Sequence, residues 1–261
     1  MKKVNKGIEP PLLNTYRTDN PDDNWKKDFK PNNPDGDKAV KRALLADQRM
    51  LCAYCEIDLK LGHGIGLDDF RVEHFHPENP HNPPPNYALD WQNMLGCCSG
   101  GNARGVTNSN TRFTSPDHSC DVPKGNHVWD DLILNPLHDV PTFPRLFKFA
   151  EQDDDGANYS PIVVDETRCP VSFQNKAQST IDRLHLNANR LKRFRFTAID
   201  TLKEQLIELE QQMSEEEALE ELAQLYFPED ANEPWPAFFT TIRWYLADVA
   251  EQRLSQISYQ G

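Results

Sequence analysis

The sequence has 261 residues, 38% of them hydrophobic, and a net charge of −13, which is enough chain for one large domain or two small ones. No stretch approaches the roughly 20 apolar residues of a membrane span, and the basic N-terminus has no apolar segment behind it. We therefore expect a cytoplasmic protein with no membrane partner. Six cysteines without an export signal favour metal ligands or free thiols over disulfides.

The negative charge is concentrated at one end of the chain. Residues 200–261 carry 3 basic and 14 acidic side chains, so that −11 of the −13 lies in the last quarter. Because salt screens charges beyond about 8–10 Å, a polyanion could still approach the other three quarters. The acidic end is predicted to be a solvated helical surface or a surface that faces a partner.

The first half of the chain is predicted to be loop-rich. Pro, Asn and Asp predict an irregular N-terminal arm over residues 1–36, with a short helix at 25–29. Asp37 can cap a helix over 38–50 that leads into Cys52. Strands are predicted over 67–75 and 87–94. Turns or loops are predicted at 61–66, 78–86, 99–119 and 153–156.

The second half is predicted to be helical after a short strand at 162–164. An apolar stripe with spacings of three and four residues indicates a helix; its members are Ile199, Leu202, Leu206, Leu209 and Met213. Ser214 and Glu217 form a capping box for the next helix, with Leu219, Leu222 and Leu225 on its inner face. Pro236 is predicted in the first turn of a last helix that runs to about 256. We predict a mainly helical α+β fold with an arm (1–36), a core (37–135) and a helical C-terminal region (136–261).

Four cysteines have the spacing of a structural zinc site. Cys52-x-x-Cys55 supplies two thiols, and the other two must come from Cys97, Cys98 and Cys120. Cys98 is favoured over Cys97 because it directly precedes the turn Ser99-Gly100-Gly101. Closed zinc sites hold four tetrahedral thiolates, and a loop-rich segment with little core of its own needs such a metal. We predict that Cys52, Cys55, Cys98 and Cys120 bind one zinc ion.

A neighbouring pair, Glu73 and His74, supplies the residue types that phosphodiester hydrolysis needs. His74 is the candidate general base, since an imidazole titrates near neutral pH. Glu73 is expected on the opposite face of the strand, where it and Asp121 could hold Mg²⁺ or Mn²⁺. Asn93 could fix the imidazole tautomer, and Lys124 could hold a phosphate oxygen.

The densest basic segment lies further along the chain. Arg190, Lys192, Arg193 and Arg195 alternate with Phe194 and Phe196. Such a patch on a helix could bind nucleic-acid phosphates, or it could be a solvated face with buried Phe side chains. Arg71 lies nearer the predicted metal.

These motifs resemble the HNH (ββα-metal) nucleases of the PtuB-like group, the nuclease subunits of Septu and related retron-type anti-phage systems. The resemblance covers residues 45–200 and rests on Cys52-x-x-Cys55, Glu73-His74-Phe75-x-Pro77, Trp91-Gln-Asn93, Cys98-x-Gly-Gly and Cys120-Asp121-x-x-Lys124. It implies a zinc-stapled ββα-metal core, a base at His74, an orienting Asn93, and a catalytic metal near Glu73 and Asp121. Asp121 departs from the family pattern, since Asn or His is usual there.

The resemblance also implies partners: an ABC-type ATPase resembling PtuA and, in a retron, a reverse transcriptase with its nucleic acid. The leading hypothesis is thus a metal-dependent endonuclease that acts on DNA or RNA in phage defence. The alternatives are a non-catalytic zinc-stapled adaptor and a free-standing toxin or restriction nuclease.

Overall fold

The structure, a computed structural model, describes residues 1–62, 67–79, 85–105, 112–150, 159–230 and 232–261. His63, His81 and the turn predicted at 153–156 lie outside the described residues, as do parts of the loops predicted at 61–66, 78–86 and 99–119. Within these residues the α-helices are α1 (Pro11–Asp19), α2 (Lys30–Asn32), α3 (Pro34–Asp47), α4 (Asp121–Lys124), α5 (Val171–Arg183), α6 (Asn189–Leu209), α7 (Glu215–Tyr226), α8 (Phe239–Tyr245) and α9 (Ala247–Gln256). Trp25–Phe29 forms one π-helical turn, where a short helix was predicted. The strands are β1 (Phe70–His74), β2 (Met94–Cys98), β3 (Phe147–Phe149) and β4 (Ile162–Val164). The fold is therefore α+β and mainly helical, as predicted.

The strands form two small antiparallel sheets. β1 pairs with β2, with Phe70 opposite Cys98 and His74 opposite Met94, and β3 pairs with β4. The second strand was predicted at 87–94, which is wrong, because Trp91–Asn93 is a 3₁₀ turn. Asp90 caps this turn by accepting a hydrogen bond from the Gln92 backbone at 2.9 Å. β2 starts at Met94, so Cys98 is its last residue and directly precedes the predicted loop.

The C-terminal helices differ from the prediction in two places. The capping box of Ser214 and Glu217 is confirmed at the start of α7, but Leu225 is 65% exposed and does not face the core. The last predicted helix is two helices. Ala247 has a positive φ of 49°, which interrupts the helical conformation between α8 and α9. Pro236 precedes α8 and is not in its first turn.

Three groups of buried side chains form the core. The central group surrounds the four cysteines and extends from the N-terminal segment to α6. A second group joins Leu51 to α6–α9. In the third group, Leu13, Trp25 and Phe29 of the arm pack against α3 and Met94 of β2. Each group thus contains residues from both sides of at least one of the domain boundaries predicted at 36 and 135. The division of the chain into three segments stays a prediction.

In the described part of the chain, no helix combines the length and the apolar character that crossing a membrane requires.

Candidate active site and metal centre

Four buried thiols meet where β2, α4 and the turn after α3 converge. The ligand atoms of Cys52, Cys55, Cys98 and Cys120 all lie within 4.8 Å of one another. The Sγ of Cys98 is 3.6 Å from the Sγ atoms of both Cys55 and Cys120. A tetrahedral zinc ion with Zn–S bonds near 2.3 Å requires S···S separations of about 3.8 Å. The four thiols therefore fit a metal ion such as zinc, with Cys98 in the cluster as expected.

Two hydrogen bonds join the cysteine segments to their surroundings. The Cys98 backbone N–H donates to the Cys52 Sγ at 3.3 Å, an interaction that stabilises a thiolate. The Cys120 backbone N–H donates to the Leu184 carbonyl at 2.9 Å, which ties the fourth cysteine to the end of α5. The thiol cluster thus connects the β1–β2 hairpin to the helical region.

An open cleft of about 460 Å³ lies beside this cluster. Glu73 and His74 at the end of β1 and Asp121 at the start of α4 all line it. Glu73 pairs with Lys124, whereas the His74 ring contacts Trp25, so the two neighbours reach the cleft from different sides, in line with the alternation expected of strand residues. The structure therefore brings the predicted base and both predicted carboxylate ligands to one cleft.

His74 is held as a neutral ring. Its Nε2 lies 3.0 Å from the Ala88 carbonyl oxygen, which can only accept, so Nε2 carries the proton and Nδ1 keeps its lone pair. The Trp25 ring meets the imidazole edge to face at a centroid distance of 6.0 Å. Burial lowers the pKa of His74 to about 4. At neutral pH the ring can therefore accept a proton.

Asp121 is buried and Glu73 is half-buried, and both carboxylates are only partly paired. Arg71 Nε lies 3.1 Å from Asp121 Oδ2, and Lys124 Nζ lies 2.8 Å from Glu73 Oε1. Among the described residues, Asp121 Oδ1 and the buried Tyr54 hydroxyl have no hydrogen-bond partner. Burial raises the pKa of Asp121 to about 8 and also raises the pKa of Glu73. Buried, incompletely satisfied carboxylate oxygens are the donors that a hard divalent cation prefers, so this pair fits such an ion.

No family model matches the chain. It is 30% identical over 217 residues to an Escherichia coli protein named "Retron Ec83 putative HNH endonuclease", a match that covers 75% of this chain and 78% of that one. This chain belongs to the HNH endonuclease family.

Two residues assigned to the site of this HNH endonuclease have contacts that differ from those predicted. The Asn93 side chain accepts from the His76 backbone N–H and donates to the carbonyls of His76 and Tyr87, so it braces the loop after β1 and does not bond the His74 ring. The Ala88 carbonyl fixes the tautomer instead. Lys124 is fully buried and donates to the His74 carbonyl at 3.0 Å, so it cannot reach a substrate phosphate.

Two of the four residues in the predicted nucleic-acid patch of the HNH endonuclease are internal. Arg190 and Arg195 are each 2% exposed. Arg190 donates to the Ser119 hydroxyl at 2.6 Å and the Arg112 carbonyl at 3.2 Å, whereas Arg195 donates to the carbonyls of Ser160 and Leu186. Their assignment to nucleic-acid binding is wrong, because a buried guanidinium engaged by the protein's own oxygens cannot contact a phosphate.

The other two residues of that patch are nearer the surface. Arg193 is exposed, and Lys192 is half-buried with its ammonium over the Tyr159 ring. Neither lines the cleft, and their nucleic-acid role stays a prediction.

Sequence reasoning missed three side chains near the cleft. Tyr54 lies inside the Cys-x-x-Cys segment, and its electrostatic interactions with Glu73 and Asp121 place it near both carboxylates. Its position between two predicted metal ligands is the signal that could have identified it. Lys26 and Lys30 of the arm also line the cleft, and no local pattern places them there, because only the packing of the arm does so.

Proposed function

We propose that this HNH endonuclease hydrolyses phosphodiester bonds in nucleic acid in a metal-dependent reaction. One observation carries the proposal: a buried histidine, a buried aspartate and a half-buried glutamate from separate elements line a single open cleft. A purely structural histidine and carboxylate pair would not need to face a solvent-filled space of this size. The adjacent tetrathiolate cluster would hold structural zinc and fix the elements that carry these residues.

Each residue has a distinct task in this proposal. His74 Nδ1 takes a proton from the attacking water, while the bond from Nε2 to the Ala88 carbonyl keeps the ring in the required tautomer. Glu73 and Asp121 would hold Mg²⁺ or Mn²⁺, which stabilises negative charge on the phosphate and the leaving oxygen. Lys124 and Arg71 hold these carboxylates in place, and Asn93 holds the loop that carries Ala88.

A cleavage assay with two histidine variants tests the proposal. The purified protein is incubated with labelled DNA and, separately, RNA in the presence of Mg²⁺ or Mn²⁺. We expect His74→Ala to cut about 10²–10⁴-fold more slowly, the usual contribution of a general base. His138→Ala is the matched control, because His138 is exposed and does not line the cleft. Chelation with EDTA should stop cleavage and added Mg²⁺ should restore it.

Two outcomes would contradict this function. Equal cleavage by wild type and His74→Ala would assign the activity to a contaminant. Absence of cleavage of both nucleic acids, by the chain alone and with its partners, would favour a zinc-stapled adaptor.

We also propose that the protein is the effector nuclease of an anti-phage complex. The named relative belongs to a retron, and the sequence motifs resemble those of nuclease subunits that work with a PtuA-like ABC-type ATPase. The acidic end of the chain offers a surface for such a partner. Co-expression with the products of adjacent genes, followed by size-exclusion chromatography, should give a stable complex that contains the ATPase, with or without a reverse transcriptase. Elution of the nuclease alone would remove this assignment.

A further inference from the structure

One wall of the candidate catalytic cleft is built by the N-terminal arm. Trp25, Lys26 and Lys30 line the cleft together with His74 and Asp121. The turn Trp25–Phe29 is anchored below them, because the rings of Trp25 and Phe29 stack at 4.8 Å and both are buried. Asn24 accepts hydrogen bonds from the backbone N–H groups of Lys26 and Lys27, which fixes the start of the turn. The two lysines are thus presented from a firmly packed base.

Three other basic side chains near the cleft are already engaged in ion pairs. Lys124 is buried against Glu73, Arg71 pairs with Asp121, and the Lys41 ammonium is shared between Asp37 and Asp68. Lys26 and Lys30 are exposed, and neither forms an ion pair within the described parts of the chain. Glu78 interacts electrostatically with both Lys26 and Lys27, and Asp68 interacts with Lys30. Two solvated ammonium groups therefore remain at the mouth of the cleft.

The aromatic residue of this wall is not available to bind a base. Trp25 is only 4% exposed, and its ring is occupied by Phe29 and by the edge contact with His74. Single-stranded nucleic acid is commonly bound by stacking on exposed aromatic rings, which this wall lacks. The wall instead presents positive charge. Such charge binds the phosphate backbone of a nucleic-acid strand whatever its base sequence.

We propose that Lys26 and Lys30 hold backbone phosphates of the nucleic-acid strand and lead it over the arm to Glu73, His74 and Asp121. The substrate-binding surface is then the arm and not the segment 190–195, whose first and last arginines are internal. This inference rests on the proposed nuclease function and adds the surface and the chemical group that is recognised.

The test measures binding separately from cleavage. In a His74→Ala background, fluorescence anisotropy follows the binding of labelled single-stranded DNA, duplex DNA and RNA at several salt concentrations. Lys26→Gln/Lys30→Gln removes both ammonium groups, and Lys27→Gln is the matched control, since Lys27 is exposed in the same turn but does not line the cleft. We expect the double variant to bind about tenfold more weakly and to lose roughly 1.4–1.8 from the slope of log K against log salt, about 0.7–0.9 for each phosphate contact. Lys27→Gln should match its background.

Each result decides between explanations. Unchanged affinity and salt slope in the double variant would overturn the proposed surface. An equal loss of affinity in Lys27→Gln would also overturn it, because it would show a diffuse electrostatic attraction. The same lysine substitutions with His74 intact are assayed for cleavage. If wild type cuts and the double variant cuts equally well at low substrate concentration, the function stands and the inference fails. If wild type neither binds nor cuts any of the three nucleic acids, the proposed function itself fails.

Discussion

Lys124 lies at the centre of the site although no solvent reaches it. Its ammonium is 2.8 Å from Glu73 Oε1 and donates to the His74 carbonyl at 3.0 Å. A buried ammonium is stable only when its charge is paired and its protons are bonded. Lys124 therefore joins α4 to the end of β1 and sets the position of Glu73 relative to His74.

Substitution of Lys124 should destabilise the protein and not merely weaken substrate binding. Lys124→Met leaves Glu73 buried without its partner, so we expect a loss of about 3–5 kcal/mol in the free energy of unfolding. Urea denaturation followed by circular dichroism measures this loss. Lys27→Met should change the stability by about 0.5 kcal/mol or less, because Lys27 is exposed.

A stable Lys124→Met protein would contradict this explanation. If that variant instead showed only weaker nucleic-acid binding, with a reduced salt slope, Lys124 would contact phosphate as the sequence first indicated.

The hairpin β1–β2 is positioned from outside by one side chain at the end of α3. Gln48 donates to the carbonyls of Leu51 and Gly96 at 2.7 and 2.8 Å, and its Oε1 accepts from the Gly96 backbone N–H at 2.7 Å. This buried amide joins the Cys52 turn to the middle of β2. Hydrogen bonds of the protein itself thus bring the two halves of the thiol cluster together.

Adjacent cysteines in β2 allow a sharp test of the metal centre. Cys98 belongs to the cluster, and Cys97, its buried neighbour, does not. We expect one zinc ion per chain in wild type and in Cys97→Ser, and none in Cys98→Ser, by elemental analysis of protein purified without added metal. Because structural zinc supplies folding free energy, Cys98→Ser should also lose cooperative thermal unfolding.

The opposite pattern, with zinc lost in Cys97→Ser and kept in Cys98→Ser, would exchange the two roles. Wild-type protein that contains no zinc and melts unchanged in a strong chelator would remove the metal centre altogether.

The arm is an integral part of the packed molecule. Phe29 is fully buried, contacts the rings of Tyr16 and Trp25 at centroid distances of 4.9 and 4.8 Å, and belongs to the same cluster as Met94 of β2. This packing positions Lys26 and Lys30, which we propose bind the substrate. Loosening the arm should therefore affect the whole chain and not a separate unit.

We expect Phe29→Ala to lower the stability by about 3–5 kcal/mol, the usual cost of removing a large buried aromatic ring. Phe143→Ala is the control, because Phe143 is 39% exposed. Tryptophan fluorescence and zinc release, followed along one urea gradient, should give coincident midpoints if the chain unfolds as one cooperative unit. Separate midpoints would support independent domains at the predicted boundaries.

Short-range patterns were sufficient for much of the site. The pair Glu73-His74, the segment Cys52-x-x-Cys55 and the capping box at Ser214 each depend on spacings that a helix, strand or turn enforces locally. The strand after Trp91 was misplaced because Asp90 caps a 3₁₀ turn that competes with the extended conformation. Similarly, the break at Ala247 depends on a positive φ that alanine rarely adopts and that packing imposes.

The sequence by itself determined which chemical groups are present: four thiols, an imidazole and two carboxylates at spacings typical of a nuclease centre. Only the tertiary structure decided which charged groups face solvent. It buried Arg190, Arg195 and Lys124, and it brought Lys26 and Lys30 to the cleft. The reason is that burial depends on contacts between residues far apart in the chain, and a local pattern of charges contains no information about those contacts.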